Sequence, residues 1–307
     1  MNYSISQLKI YLKIIQTNSI TKTAEELHLT QPAVSIQFKN FQEQFEIPLL
    51  EIINKKIYVT DFGKVIAASA EKILSEIDNL NDKVNSYQGL LTGKLKISSV
   101  STGKYVAPFF ISDFVKKNPG IELSLDVTNK SQVLASLENN EVDFALVSVL
   151  PDNISIEKVE LMKNKLFLVG SYEDNNISKK QGKEILEKIP IIFREKGSGT
   201  RSVMEKFLLE NNLNVSKKFE LTSNEAVKQA VIAGLGYSIM PLIGLKNELK
   251  NQQLKIIPVD GLPLISTWHL IWLKGKKFLP VADQFLQFVK THNSEIIKEK
   301  FNWIEKY

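Results

Sequence analysis

A chain of 307 residues is longer than one hydrophobic core usually supports, which points to at least two domains. With 43% apolar and 24% charged residues the composition is that of an ordinary globular protein, and the absence of cysteine excludes disulfides, thiolate metal sites and cysteine nucleophiles. A net charge of +5 permits a polyanionic partner without demanding one, because residues 1–60 carry six lysines against five glutamates.

The first apolar run is interrupted by Lys9 and Lys13, which argues against a secretory leader. No window approaches the ~18 consecutive apolar residues of a membrane span. The chain is therefore read as cytoplasmic, with no membrane partner.

Residues 4–17 predict a helix, with Leu8, Tyr11, Leu12 and Ile15 on one face at 3/4 spacing. Asn18-Ser19 breaks it, and a second helix begins near Ile20-Thr21 with Ala24 and Leu27 turned inward. His28-Leu29 reads as a tight turn. Thr30 then caps a third helix carrying Gln31 and Pro32 in its first turn, where a missing N–H costs nothing. Two short helices around a tight turn form a helix-turn-helix pattern, whose second helix presents its N-terminal residues to base edges. Residues 49–53 and 57–60, around Asn54-Lys55-Lys56, predict a small two-stranded wing.

From 61 to about 88 there is no proline, and Ile66, Ala70, Ile73, Ile77, Leu80, Val84 and Tyr87 recur at alternating spacings of four and three. This heptad seam predicts a dimerisation helix of roughly 40 Å. A helix packed on its own domain is the alternative, although its apolar face is usually wider than an a/d stripe.

Past Gly89 and Gly93 the pattern becomes alternating strands and helices. Strands are expected at 95–100, 121–127, 144–149, 166–169, 191–193, 219–221, 237–240 and 268–273. Helices are expected at 105–117, 131–139, from about 200, at 225–233 and at 282–290. Repeated βα units imply mostly parallel sheets with ligand sites at the carboxyl ends of their strands, and two such sets imply two lobes around a cleft.

Only two arginines occur, Arg194 and Arg201, on either side of Gly197-Ser198-Gly199-Thr200. Codon bias is the plain explanation. The functional one is that a guanidinium fork is needed here for an acidic group that lysine does not mimic. Gly197 and Gly199 allow close backbone approach, and the helix that follows offers N–H groups to an anion. Ser198 and Thr200 add hydroxyls, and Arg201 is expected to clamp a carboxylate, sulfate or phosphate. Ser99, Ser101 and Thr102, where a strand gives way to a helix, are expected across the cleft, with Thr128 a weaker candidate. Any one of these hydroxyls taken alone reads more readily as an ordinary cap; the site rests on the two clusters together. No catalytic set emerges: His28, His269 and His292 are far apart in sequence and lack ligand spacing, Gly-Ser-Gly-Thr is not a nucleophile elbow, and no metal or cofactor is implied. Trp268 and Trp272 are expected in the core.

The run from Ser19 through Thr21-Lys22-Thr23-Ala24-Glu25-Glu26-Leu27 to Gln31-Pro32-Ala33-Val34-Ser35 closely resembles the DNA-binding signature of LysR-type regulators. Arg194-Glu195-Lys196-Gly197-Ser198-Gly199-Thr200-Arg201, Thr222-Ser223-Asn224-Glu225-Ala226 and Ala233-Gly234-Leu235-Gly236 resemble the branch governing sulfur and carbon assimilation. The resemblance spans nearly the whole chain. Its wing departs from the family pattern, with Leu50 for a phenylalanine, Ile52 for an arginine and Lys55 for a second arginine.

The resemblance implies a winged helix-turn-helix over 1–60, a linker and dimerisation helix over 61–90, and an α/β effector-binding domain over 91–307, built like two-lobed periplasmic binding proteins. Lobe I would comprise about 91–162 with 267–307, and lobe II about 163–266. It implies that Gln31, Pro32 and Ser35 face the major groove of double-stranded DNA, that Thr21 and Lys22 meet phosphates, and that Lys55 and Lys56 serve the wing. Ser99, Ser101, Thr102, Thr128, Ser198, Thr200 and Arg201 would take a small anionic metabolite. Ile66, Ala70, Ile73, Ile77, Leu80 and Val84 would pair two copies, which the family assembles further into dimers of dimers. A dimer would read pseudo-palindromic half-sites about one helical turn, ~34 Å, apart. A solute-binding protein shares the two-lobed architecture but calls for a leader and no helix-turn-helix. A small α/β enzyme calls for a nucleophile–base set.

Overall fold

The computed structural model describes residues 3–54, 56–87, 91–174, 177 and 180–307. The chain forms two compact units, one up to Leu90 and one from Leu91.

In the first unit α1 (Ile5–Thr17) opens with a capping box between Ser4 and Gln7 and ends at Asn18, which takes the left-handed conformation (φ 51°). The Ser19 side chain caps α2 (Ile20–Glu26) by accepting from the Lys22 N–H. His28 (φ 53°) makes the turn, and the Thr30 hydroxyl accepts from the Ala33 N–H to start α3 (Gln31–Gln42). β1 (Leu50–Ile53) and β2 (Lys56–Val59) form an antiparallel hairpin, and α4 (Asp61–Tyr87) follows. An aromatic core of Tyr11, Phe41, Phe38, Phe45 and Phe62 ties α1, α3 and the start of α4 together.

Gly63 lies so close to the wing that a Cβ there would stand 2.1 Å from the Leu49 carbonyl oxygen. The Tyr11 hydroxyl donates to the Gly63 carbonyl at 2.8 Å, and burial pushes the phenol's pKa up to about 12. Unfolded tyrosine ionises near 10, so the neutral, donating form is favoured by folding, and this contribution is lost as pH rises through that window. Tyr11→Phe is expected to cost about 1–2 kcal/mol at neutral pH and to remove part of the alkaline decline in stability. Thermal melts of both proteins from about pH 8 to about pH 11 check it, and parallel slopes would count against the assignment.

The second unit runs β3 (Gly93–Val100), a 3₁₀ turn (Ser101–Tyr105), α5 (Ala107–Lys117), β4 (Ile121–Thr128), α6 (Lys130–Glu138), β5 (Phe144–Val147) and β6 (Ile156–Ser171). It continues α7 (Ile185–Lys188), β7 (Ile191–Arg194), α8 (Gly199–Glu210), β8 (Lys218–Leu221), α9 (Asn224–Ile232) and β9 (Ser238–Pro241). α10 (Lys246–Lys250), β10 (Leu254–Ile256), β11 (Leu264–Leu273) and α11 (Pro280–Ile296) close it.

One seven-stranded sheet takes the order β10-β6-β11-β5-β3-β4, with β9 also on β6, and β7 pairs β8 separately. The expectation of mostly parallel sheets is corrected here. β3 is parallel to β4 and β5, and β7 to β8, but β11 is antiparallel to both β5 and β6, and β9 and β10 are antiparallel to β6. The first half of β6 escaped the sequence reading because Glu157, Lys158, Glu160, Lys163 and Lys165 interrupt its apolar run, while 166–169 alone is continuously apolar.

β6 and β11 pair along their length, from Ile156↔Leu273 to Leu166↔Leu264, with a bulge at Trp268/His269. Through them the chain passes between two lobes. β6 gives Leu161 and Met162 to a core with Trp268, Trp272, Phe144 and Phe285, then Leu166 and Leu168 to a second core with Ile191, Phe193, Met204 and Ile239. Among the described residues no helix is long and apolar enough to cross a membrane.

Candidate functional site

In the helix-turn-helix Val34 and Phe41 are fully buried, which turns the opposite face of α3 outward. Gln31 and Pro32 are exposed at its N-terminus, Ser35 is half-buried one turn on, and Ile36 is 58% exposed. Thr21 and Lys22 are exposed in the first turn of α2, and Lys56 is exposed on β2. Lys55 lies outside the described residues.

The heptad seam divides. Ala70 is 1% exposed and Ile66 packs beside it against Leu8, Tyr11 and Phe41, so these two positions belong to their own domain's core. They are corrected from the dimerisation set, because the aromatic cluster of α1 and α3 needs a cover and α4 supplies it. Further along, Ile77 is half-buried while Ile73 and Leu80 are 42% and 61% exposed. The side chain of Val84, like that of Tyr87, lies outside what is described.

In the second unit a tight cavity of about 10 Å3 is lined by Val100, Ser101, Thr102, Asn129, Lys130, Ser148, Arg194, Glu195, Ser198, Gly199 and Thr200. It sits where β3, β5 and β7 end and where α6 and α8 begin, so strand carboxyl ends and helix N-termini converge on one space. α8 starts without a side-chain cap, although Ser198 is at its N-cap and buried. Gly197 (φ 87°) makes the turn before it, and a Cβ there would stand 3.1 Å from the Ser131 hydroxyl on the facing lobe. Only glycine meets both demands.

Arg194 is the charged centre of this cavity. It is 5% exposed; its Nε and Nη2 donate to the two carboxylate oxygens of Glu195 at 2.8 and 2.7 Å, and Nη2 also reaches Ser101 Oγ at 3.2 Å. Its Nη1 is buried with no partner among the described residues. Ser101 Oγ also accepts from Asn224 Nδ2 at 3.0 Å, so one hydroxyl holds two donors from the opposite lobe. Burial pushes the Lys130 ammonium pKa below its usual value, opposed by Asp152. An anion in the cavity would relieve that cost.

Three expected ligand residues stand elsewhere. Arg201 faces away: its Nε binds Glu205 at 2.7 Å, and its Nη1 binds Glu220 at 2.6 Å and the Arg194 carbonyl at 2.8 Å. Burial opposes its charge, yet the two glutamates hold its pKa above the usual value. It lines a separate groove of about 450 Å3 with Phe193, Leu209 and Phe219, so its expected place is corrected: Arg194, and not Arg201, lines the cavity described above. Ser99 is fully buried, donates to the Val100 carbonyl and is covered by Gly103. Thr128 bonds Gln132 on its own lobe and does not line the cavity.

Sequence reasoning missed Lys130, Asn129, Ser148, Glu195 and Asn224 as site residues. Lys130 was within reach, since it follows the β4 end that singled out Thr128. None of the three histidines lines the cavity, and the described residues contain no group of three or more His, Cys, Asp or Glu able to hold a metal.

Residues 5–64 match the model of bacterial regulatory helix-turn-helix proteins of the lysR family, and residues 88–294 match the LysR substrate binding domain. The chain is 37% identical over 296 residues to the HTH-type transcriptional activator CmpR of Synechocystis, covering 96% of this chain and 97% of that protein. It is 34% identical over 291 residues to a RuBisCO operon transcriptional regulator of Allochromatium vinosum, covering 94% and 96%. The solved regulatory domain of Synechocystis CcmR in complex with 2-PG is 32% identical with a TM-score of 0.63, covering 66% of this chain and 98% of that one. Full-length CbnR complexed with its target DNA shares the fold over 94% of this chain and 99% of its own, with a TM-score of 0.71 at 19% identity.

Proposed function

Because this chain belongs to the LysR family of bacterial regulators, and so is a DNA-binding transcription regulator that responds to a small metabolite, we propose that its effector is a small dianion held by Arg194 between the lobes. The observation that carries this reading is the Arg194 Nη1 group, buried, unpartnered among the described residues and placed in a cavity where two helices begin. A guanidinium edge, the N–H groups of α8, the hydroxyls of Thr102, Ser198 and Thr200, and the Lys130 ammonium form a donor set suited to phosphate or carboxylate. The 2-PG seated in the similar CcmR domain points the same way.

Gln31, Pro32 and Ser35 are assigned to base edges in the major groove, and Thr21, Lys22 and Lys56 to phosphates, as their exposure allows. Ile73, Ile77 and Leu80 pair two copies, and pairs assemble further into dimers of dimers on a pseudo-palindromic operator. The winged domain is assigned to 1–60, the linker to 61–90 and the effector domain to 91–307, with lobes dividing near 162 and 267. As a member of a family of transcription regulators, the protein is assigned to the cytoplasm and to regulation rather than catalysis.

A gel-shift on the DNA upstream of its own gene tests the whole. A retarded band is expected at low salt, weakening steeply as salt rises, with a footprint that changes when 2-PG is added. No band at low salt would overturn the DNA assignment, and an unchanged footprint with 2-PG and with inorganic phosphate would overturn the effector assignment.

A further inference from the structure

We propose that Glu195 is a tethered competitor for the effector's anionic group, so that the site is self-occupied until a ligand displaces it; this rests on the reading of the cleft as an anion site. Two neighbouring residues in an extended strand direct their side chains to opposite faces. Glu195 departs from that rule because β7 ends at Arg194 and a turn follows, with the Ser198 N–H donating to the Glu195 carbonyl at 3.2 Å and Gly197 in the left-handed region. The turn brings the carboxylate back onto the guanidinium that precedes it.

The contact is bidentate, on the Nε–Nη2 edge of Arg194, and both partners are largely shielded, with side chains 5% and 17% exposed. This is the geometry in which arginine recognises a free carboxylate or phosphate. Both Glu195 and Arg194 line the cavity, so the carboxylate lies in the space where a ligand would engage the same edge. Nη1 stays outside the pair and offers an arriving anion a first foothold. Ser101, already holding Nη2 and Asn224 Nδ2, keeps the guanidinium in place while the exchange occurs.

The consequence is a threshold. Apparent affinity equals the intrinsic affinity reduced by the fraction of receptor whose guanidinium is free, so an internal carboxylate raises the concentration at which the receptor responds. Displaced, Glu195 remains nearby as a like charge and lowers affinity further. Glu195→Gln keeps the shape and removes the charge, and Glu195→Ala removes the competitor altogether.

The experiment is calorimetric titration of the full chain with inorganic phosphate and with 2-PG, for the parent protein and both variants, with melting temperatures recorded. Tenfold or greater tightening for at least one probe in both variants is the expected result, with a melting temperature that falls without anion, because the guanidinium is left unpaired, and recovers when the anion is added. Unchanged or weaker binding in Glu195→Gln and Glu195→Ala, while the parent binds, would overturn the competitor role and leave the anion cleft standing. Absence of binding by the parent and both variants would overturn the cleft reading, and the competitor with it.

Discussion

Arg194→Ala is expected to lower affinity for 2-PG or phosphate by 100-fold or more and to abolish the ligand-dependent change in footprint, while leaving the DNA gel-shift in place. The size follows from the chemistry. A bidentate contact to a charged group in a largely desolvated cavity contributes about 3 kcal/mol, and roughly 1.4 kcal/mol is a factor of ten. Arg194→Lys retains the charge but loses the fork, so its affinity should fall between parent and alanine variant. The control is Arg201→Ala. Arg201 binds two glutamates whose side chains are 51% and 53% exposed, and pairs so open to solvent contribute at most about 1 kcal/mol. Its loss should leave ligand affinity within about twofold, a change of roughly 0.4 kcal/mol. If Arg201→Ala silenced the response and Arg194→Ala did not, the placement of the anion in this cleft would be wrong.

Ile73→Lys is expected to dissociate the protein, with loss of high-affinity operator binding. Ile73 is 42% exposed on α4 and Leu80 61%, aliphatic surface on a helix whose Ile66, Ala70 and Leu74 pack into the core of their own unit. Burying each such side chain contributes roughly 1.5–3 kcal/mol, and a symmetric pair loses it twice while also gaining an uncompensated charge. Sedimentation should show the shift to a smaller species at an unchanged melting temperature. Substitution at Ala70 should do the reverse, lowering the melting temperature because its methyl packs on Leu8 and Tyr11. Sedimentation of Ile73→Lys indistinguishable from the parent would remove the pairing role of α4.

Local chemistry made the N-terminal unit readable in advance. Thr30 is a cap in the sequence and in the structure, and Pro32 in the first turn of α3 announces a helix start; Ser4, read as the first helical residue, and Ser19, read as part of a break, are caps as well. The heptad seam was legible as a pattern but not as a destination, since periodicity alone does not say whether a stripe meets its own domain or another chain. Ile66 and Ala70 are drawn inward by an aromatic cluster assembled from positions 11, 38, 41 and 45, and that cluster exists only in the fold.

The loop between the two arginines lines the cavity of the second unit, but the orientation of the arginines is the reverse of the one expected, with Arg194 turned in and Arg201 turned away. Arg201 and Glu205 stand four apart on a helix, a spacing that by itself favours a side-chain pair along α8. Arg194 closes a parallel strand, the place from which side chains in such sheets reach ligands. The charges in the first half of β6, where all four of its exposed residues lie, concealed the strand and with it the antiparallel spine of the second unit.

That spine fixes an order in which the lobes can close during synthesis. β5 has β11 as its antiparallel neighbour, with Val147 opposite His269, so one edge of β5 stays bare on the ribosome until the second lobe and its own core have been made. α11, which brings Phe285 to the same core, emerges later still. During translation the early strands must therefore wait with apolar edges uncovered, a state prone to aggregation and a natural client for chaperones. A nonsense codon shortly before Leu264 would leave a nascent lobe II beside a lobe I that cannot close.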